Sequence, residues 1–422
     1  MIRRASLIAL SISLYFAAFS ASAQDDGIDG NPAATNIVVG SGWLGEYLGI
    51  NRNGWRFGGI QITDSNGQFT GGINPGSWPS DTLTIVDLTI DTEKFVGWEG
   101  GLFGTDFLYF SGEPVNTDAG TVMGYNSLVA GPPNTRVELY ELWYRQVMCN
   151  DKVVIRIGKS IPTYDFNNVE RPVPFTSEAN NIPGISSAIL TPLYVSPTQL
   201  GIMPGYYDSA TGVVAKYLPN ENIYAEYGFF DGNLAAGRNT GLTGPLFNGY
   251  YLHLAEIGGS WTVGPEDKPG SIGFGYWRQT GRLTVPNGGG TVQGADGIYF
   301  FASHRIYNEN PGVTNNGFTS YFQFAATNTP VVDTQRYFGC GITYFGPVPN
   351  RDVDSLGLSF AYGKMRSVPT LGPREMIYTA YYQYQIRKNF FFQPNVTFIG
   401  QPAAQPGLSD VLAMTCRVIL SF

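Results

Sequence analysis

The last twelve residues, Val411 to Phe422, read VLAMTCRVILSF and constrain the fold more than any other stretch. Counted back from the terminal aromatic, Leu420, Val418, Cys416, Met414 and Leu412 place an apolar side chain at every second position. Between them stand Ser421, Arg417 and Thr415, with Ile419, Ala413 and Val411 as apolar exceptions. Successive side chains of a strand point to opposite faces, so this pattern fits a wall between lipid and water. The chain is expected to end as the closing strand of a membrane β-barrel.

A Phe ending such a strand also resembles the recognition signal of outer-membrane barrel proteins. The beginning agrees on compartment. Arg3 and Arg4 precede an apolar run, Ala5 to Phe19, and Ala21-Ser22-Ala23 offers small residues for cleavage before Gln24. This reads as a secretory signal peptide over 1–23, too short for a spanning helix. A short N-terminal segment, 24–53, and a single barrel domain, 54–422, are expected to follow. Gln24–Asn53 is too short for the plug domain of an energy-coupled receptor, so a passive channel is expected.

No later stretch offers the roughly 18 to 20 apolar residues that a membrane helix needs. Yet the chain holds 54 Gly, 26 Tyr and 27 Phe with only 14% charged residues, a composition of strands and turns rather than helices. Barrels place aromatics at both membrane interfaces. Cleavage after Ala23 would take the formal charge from -8 to -10, which argues against nucleic acid as a partner.

Period-two segments predict sixteen strands, within Gly54–Thr63, Thr82–Glu93, Trp98–Ser111, Thr135–Met148, Lys152–Ser160, Thr211–Leu218, Asn222–Phe230, Tyr250–Thr262, Gly270–Arg278, Asp296–Tyr307, Gly317–Thr327, Gln335–Phe345, Asp354–Lys364, Glu375–Ile386, Phe390–Ile399 and Ser409–Phe422. An even count suits an all-β, antiparallel transmembrane barrel with long extracellular loops and short periplasmic turns. Cys149-Asn150-Asp151, Pro219-Asn220-Glu221 and Arg387-Lys388-Asn389 read as tight turns in alternate gaps; Val263–Pro269 and Asn308–Asn316 are longer than their side prefers. The longest connection, Ile161 to Ala210, carries Pro162, Pro172, Pro174, Pro183, Pro192, Pro197 and Pro204. Proline removes ladder donors, so this connection is expected to be stiff and poor in ladder pairing. In this count it follows the fifth strand, a place where the outer loop of sixteen-stranded porins typically folds into the barrel and narrows it; that likeness implies the same here. An exposed loop or an edge hairpin is the alternative.

Alternation assigns faces. Glu375, Ile377, Thr379, Tyr381, Gln383 and Gln385 oppose Met376, Tyr378, Ala380, Tyr382, Tyr384 and Ile386; Phe391, Gln393, Asn395, Thr397 and Ile399 oppose Phe390, Phe392, Pro394, Val396 and Phe398. Burying amides in lipid is costly, so the first set of each strand should face the lumen. Glu141, Trp143 and Arg145 share a face opposite Tyr140, Leu142 and Tyr144. The same rule turns inward Arg156, Asp87, Asp91, Glu226, Arg305 and Arg417. Carboxylates, guanidinium groups and aromatics can hold a neutral polyol through charge-assisted hydrogen bonds and ring stacking. Lumen ion pairs that only brace the wall are the alternative for each residue.

Enzymatic and metal chemistry is poorly represented. Only His253 and His304 occur, with no GxSxG, P-loop, HExxH or CxxC sequence, so neither cofactor nor metal is expected. His304, on the lipid-facing parity beside a strand carrying Ser320, leaves an outer-membrane lipase as a remote alternative. Cys149, Cys340 and Cys416 are too sparse and odd in number for a disulfide framework, and Cys340 and Cys416 fall on the lipid side.

The chain resembles the carbohydrate-selective porins of the OprB type. The resemblance rests on Glu138-Leu139-Tyr140-Glu141-Leu142-Trp143-Tyr144-Arg145-Gln146 followed by Asp151-Lys152-Val153-Val154-Ile155-Arg156-Ile157-Gly158-Lys159, on Gly346-Pro347-Val348-Pro349-Asn350-Arg351-Asp352-Val353-Asp354-Ser355-Leu356-Gly357, and on Gln393-Pro394-Asn395, where Asn replaces an acid. Arg145 stands where an acidic residue is common in the family, which bears on the solute. The resemblance implies diffusion of glucose and related sugars across the outer membrane, with sugars and membrane lipids as partners. A homotrimer and a monomer both remain open, and a general or ion-preferring porin is the rival channel.

Overall fold

The computed structural model describes residues 41–126, 128–129, 132–167, 201–220, 222–264, 268–309 and 316–422. The segment 1–23, expected to be a signal peptide, lies outside the described residues. Sixteen antiparallel strands form one closed barrel: β1 (Trp55–Thr70), β2 (Ser80–Asp91), β3 (Gly101–Ser111), β4 (Thr135–Met148), β5 (Val153–Ser160), β6 (Ala210–Asn220), β7 (Ile223–Asp231), β8 (Tyr251–Val263), β9 (Lys268–Thr284), β10 (Thr291–Asn308), β11 (Gly317–Ala326), β12 (Thr334–Phe345), β13 (Ser355–Met365), β14 (Arg374–Arg387), β15 (Phe390–Gly400) and β16 (Val411–Ser421). Every strand pairs with its chain neighbours, and β1 closes on β16 with Asp64 opposite Arg417. All sixteen expected segments carry a strand.

Short helices interrupt the connections. α1 (Trp43–Tyr47) lies beside the seam, where the N–H of Gly59 donates to the Phe422 carbonyl at 2.7 Å. α2 (Thr92–Val96) fills the β2–β3 turn, and α3 (Val115–Ala119) lies in the β3–β4 connection. Turns and long connections sit at opposite rims, the periplasmic and extracellular ends. Tight turns join β4 to β5, β6 to β7 and β14 to β15; the long β3–β4, β5–β6 and β7–β8 connections leave from strand ends at the other rim.

Face assignment follows the pleat. In β16, Val411, Ala413, Thr415, Arg417, Ile419 and Ser421 are buried inside, while Leu412, Met414, Cys416, Val418 and Leu420 lie on the more exposed outer face. β14 and β15 divide as alternation predicts, with Glu375, Thr379, Tyr381, Gln383, Gln393, Asn395 and Thr397 buried. Two features depart from the sequence reading. Tyr140, expected on the face opposite Glu141, is buried, because the β3–β4 register shifts so that Asp106 pairs with Glu141 and Phe107 with Leu139. The extra residue is a β-bulge, and it turns Arg136, Glu138 and Tyr140 inward. Part of the inner face of β1–β3 is an apolar patch, on the same parity as the buried Asp64, Asp87 and Asp106. There Ile60, Ile62, Leu83, Ile85, Leu108 and Phe110 pack with Leu128, Ile161, Tyr206 and Tyr207 from the extracellular connections. A wall covered by protein is dry, so apolar side chains are favoured there.

Candidate functional site in the barrel lumen

Three carboxylates stand in one row of the wall. Asp87 on β2 pairs in register with Asp106 on β3, which pairs with Glu141 on β4. All three are buried. Like charges directly opposite one another destabilise a sheet, so this row requires cations and donors around it. Arg56 supplies one, its guanidinium 2.9 Å from Asp87 Oδ1. Glu141 accepts the Ile161 N–H at 2.8 Å and the Trp143 indole N–H at 3.1 Å.

The opposing charge comes from the adjoining strand pair. Arg145 on β4 lies opposite Arg156 on β5. Arg156 forms an ion pair with Asp165, and its guanidinium carbon stands 5.5 Å from the centre of the Trp143 ring. The indole is pressed to the wall over Gly104, its register partner, where a Cβ would meet Trp143 at 2.4 Å. Acid, guanidinium and indole are thus assembled on β2–β5, with the first residues of the β5–β6 connection as their cover.

Both described ends of that connection lie inside the wall. From β5 the chain passes through a single 3₁₀ turn, Pro162–Tyr164, and reaches β8, where the Asn167 N–H donates to Glu256 at 2.7 Å. Phe166 is buried in a cluster with Met203, Leu254, Trp277 and Tyr299. On the return, Tyr206 donates to the Leu128 carbonyl at 3.0 Å, and Arg136 donates to the Tyr207 carbonyl. Pro172, Pro174, Pro183, Pro192 and Pro197 lie outside the described residues.

A second connection enters the barrel without having been foreseen. The β3–β4 segment crosses to β14, where Glu375 accepts the Thr121 hydroxyl and the N–H groups of Val122, Met123 and Ala403. Asn126 from the same segment donates to Asp64 at 2.8 Å and to Asn66 at 2.9 Å. Burial pushes the Tyr125 hydroxyl well above its ordinary range, with the charges of Asp81, Asp64 and Asp118 acting in the same direction.

The foreseen residues do not form one cluster. Asp87, Glu141, Trp143, Arg145 and Arg156 belong to the β2–β5 wall. Glu226 pairs with Lys216 at 2.8 Å, and Arg417 forms a two-point pair with Asp64 at 2.8 and 2.7 Å. Arg305 donates to Asn308 and Thr319 beside Phe345. Tyr381 donates to Ser355, and Gln383, Gln393 and Asn395 form a chain of amide hydrogen bonds at 2.9 and 2.8 Å. Asp91, the last residue of β2 and paired with Leu102 of β3, also accepts the N–H groups of Glu93 and Lys94 and caps α2. Ending the strand there is what an Asx cap favours.

Several lumen groups were missed. Lys216 and Glu256 stand between apolar neighbours and were legible by simple alternation, whereas Asp64, between Thr63 and Ser65, was not. Arg136 and Glu138 were hidden by the bulge, and Asp165 and Asn126 by lying in connections. His304 is opposite Ser320 in the ladder and packs beside Trp261, ring centres 6.1 Å apart, on the outer face.

A family model described as carbohydrate-selective porin, OprB family, matches residues 83–422. The high-pH structure of Pseudomonas putida OprB is similar with a TM-score of 0.73 at 18% identity, covering 90% of this chain and 97% of that one. The low-pH structure of the same protein gives 0.56 at 14% identity, covering 90% and 96%. A comparison with curated proteins gives no match. Family and fold agree with the closed sixteen-stranded wall: the chain is an outer-membrane channel rather than an enzyme, and it belongs to the carbohydrate-selective porin family of the OprB type.

Proposed function

We propose that this protein passes glucose and related sugars by passive diffusion, through a lumen narrowed by the Pro-rich β5–β6 connection. The observation that carries the reading is the β2–β5 wall, where Asp87, Asp106 and Glu141 stand beside Trp143, Arg145 and Arg156. A sugar hydroxyl donates to carboxylates and accepts from guanidinium groups, and its C–H face stacks on an indole. Such a set replaces the water around a neutral polyol without selecting an ion of either sign. Hydrogen bonds from Ile161 to Glu141 and from Asn167 to Glu256 support inward folding of the connection, since both acceptors are on inner faces.

Reconstituted liposomes test this reading. Vesicles containing the protein should admit glucose several-fold faster than organic anions of similar size. Equal rates would favour a general or ion-preferring porin, and no uptake of any solute would contradict a channel.

A further inference from the structure

The outer face carries a cationic row that the sugar path does not use. Arg336 on β12 pairs in register with Lys364 on β13, and Lys364 pairs with Arg374 on β14. Alternation turns all three outward, since Tyr337, Met365 and Glu375 beside them are buried inside. They stand at the extracellular ends of their strands. Adjacent strands are about 4.8 Å apart, so three positive charges fall within roughly 10 Å. Like charges at directly paired positions are unfavourable. In a chain of net charge -8, such a row calls for a counter-charge.

Among the described residues no carboxylate forms an ion pair with any of the three. The nearby acids are engaged: Asp333 with Arg366 at 2.9 Å, and Asp410 with the Gln401 N–H at 2.9 Å. Neutral groups hold the guanidinium heads, Arg336 donating to Asn328 at 2.8 Å and Arg374 to Gln401 at 2.7 Å. Directly toward the membrane centre comes an apolar row, Phe338, Tyr362 and Met376, also paired in register. Below it Phe360, Tyr378 and Phe398 continue the band, with ring centres 4.9 and 6.2 Å apart.

We propose that the row Arg336–Lys364–Arg374 binds the phosphorylated headgroup of an outer-leaflet lipid, whose acyl chains lie on the aromatic band beneath. A free anion needs only the charges. The apolar surface contiguous with them, on a face turned to the membrane, fits an amphiphile. Guanidinium groups and ammonium groups bind phosphate by charge-assisted hydrogen bonds, and the site stands at the depth where outer-leaflet headgroups begin.

The test uses the full chain in detergent, with binding of bis-phosphorylated lipid A read by native mass spectrometry. The variant carrying Arg336→Gln, Lys364→Gln and Arg374→Gln should bind it at least about tenfold more weakly, and Lys364→Gln alone about threefold. Dephosphorylated lipid A should bind wild type and variant equally. Arg387→Gln with Lys388→Gln, at the opposite rim, should leave phosphorylated lipid binding unchanged. Heat-modifiable migration and unaltered single-channel conductance would show that each barrel is folded, and Lys364→Gln keeps the test decisive should the triple variant not fold. Equal affinity of wild type and the folded Lys364→Gln or triple variant for phosphorylated lipid A would overturn the proposal. So would displacement of the lipid by millimolar inorganic phosphate, which would assign the row to a free anion.

Discussion

Glu375 on β14 accepts the backbone N–H of Met123 at 3.0 Å, a contact spanning 252 positions of the chain. The same buried carboxylate accepts the N–H groups of Val122 and Ala403 and the Thr121 hydroxyl, so one side chain ties two extracellular connections to the inner wall. Hydrogen bonds to a charged acceptor contribute about 1.5–3 kcal/mol each, and the bereft donors would be left inside the barrel. Glu375→Ala should therefore cost at least about 3 kcal/mol in denaturant unfolding. Amide exchange at Val122 and Met123 should accelerate while β16 stays protected. Unchanged exchange at those two amides would show that the connection is held by its apolar contacts alone.

The seam of the barrel depends on a buried ion pair. Arg417 and Asp64 face each other across β16 and β1, and Asn126 bonds the same carboxylate. Removing one partner leaves a buried charge uncompensated, at about 3–5 kcal/mol. Arg417→Ala should lower the temperature of heat-modifiable unfolding markedly, and adding Asp64→Ala should recover part of the loss. Strict additivity of the two substitutions would mean the pair contributes nothing at the seam.

Much of this barrel was readable from period-two patterning, because each strand must separate lipid from an interior. β14, β15 and β16 kept strict alternation and yielded their faces correctly. The bulge at Tyr140 was not readable, since one extra residue inverts parity upstream and leaves no mark in composition. The capping of α2 by Asp91 was not readable, because it depends on where β2 stops. The apolar patch between the inner acids of β1–β3 was not foreseen, and it has a physical reason: Leu128, Ile161, Tyr206 and Tyr207 cover it. Which connection folds inward, and onto which wall, is a long-range relation that no local pattern records.

The turn joining β12 to β13 gives a pH prediction. Burial pushes the Asp354 carboxyl up, but hydrogen bonds from Arg351, Tyr382 and the Gln385 N–H outweigh it and bring the group below its ordinary value. A carboxylate with a depressed folded value contributes stability above the unfolded value, about 3.9, and loses it as pH falls through the folded value. Wild type should therefore lose stability on acidification below about pH 4, and Asp354→Asn should lose less over that window while being less stable at pH 7. Parallel pH profiles for the two proteins would show that this contact does not set acid stability. Arg351 also lies 3.9 Å from the centre of the Tyr384 ring, so Arg351→Lys should weaken the turn despite its retained charge.

The central claim is that sugar is held at the β2–β5 wall, and single-channel current in planar bilayers tests it most directly. Glucose added to the wild-type channel should block ionic current in a saturable, concentration-dependent manner. Arg145→Ala and Arg156→Ala should each weaken that block by about tenfold and raise open-channel conductance, because each removes a charge-assisted donor and a bulky group from the lumen. Unchanged block and unchanged conductance in both variants would contradict the account and make these arginines braces of the wall.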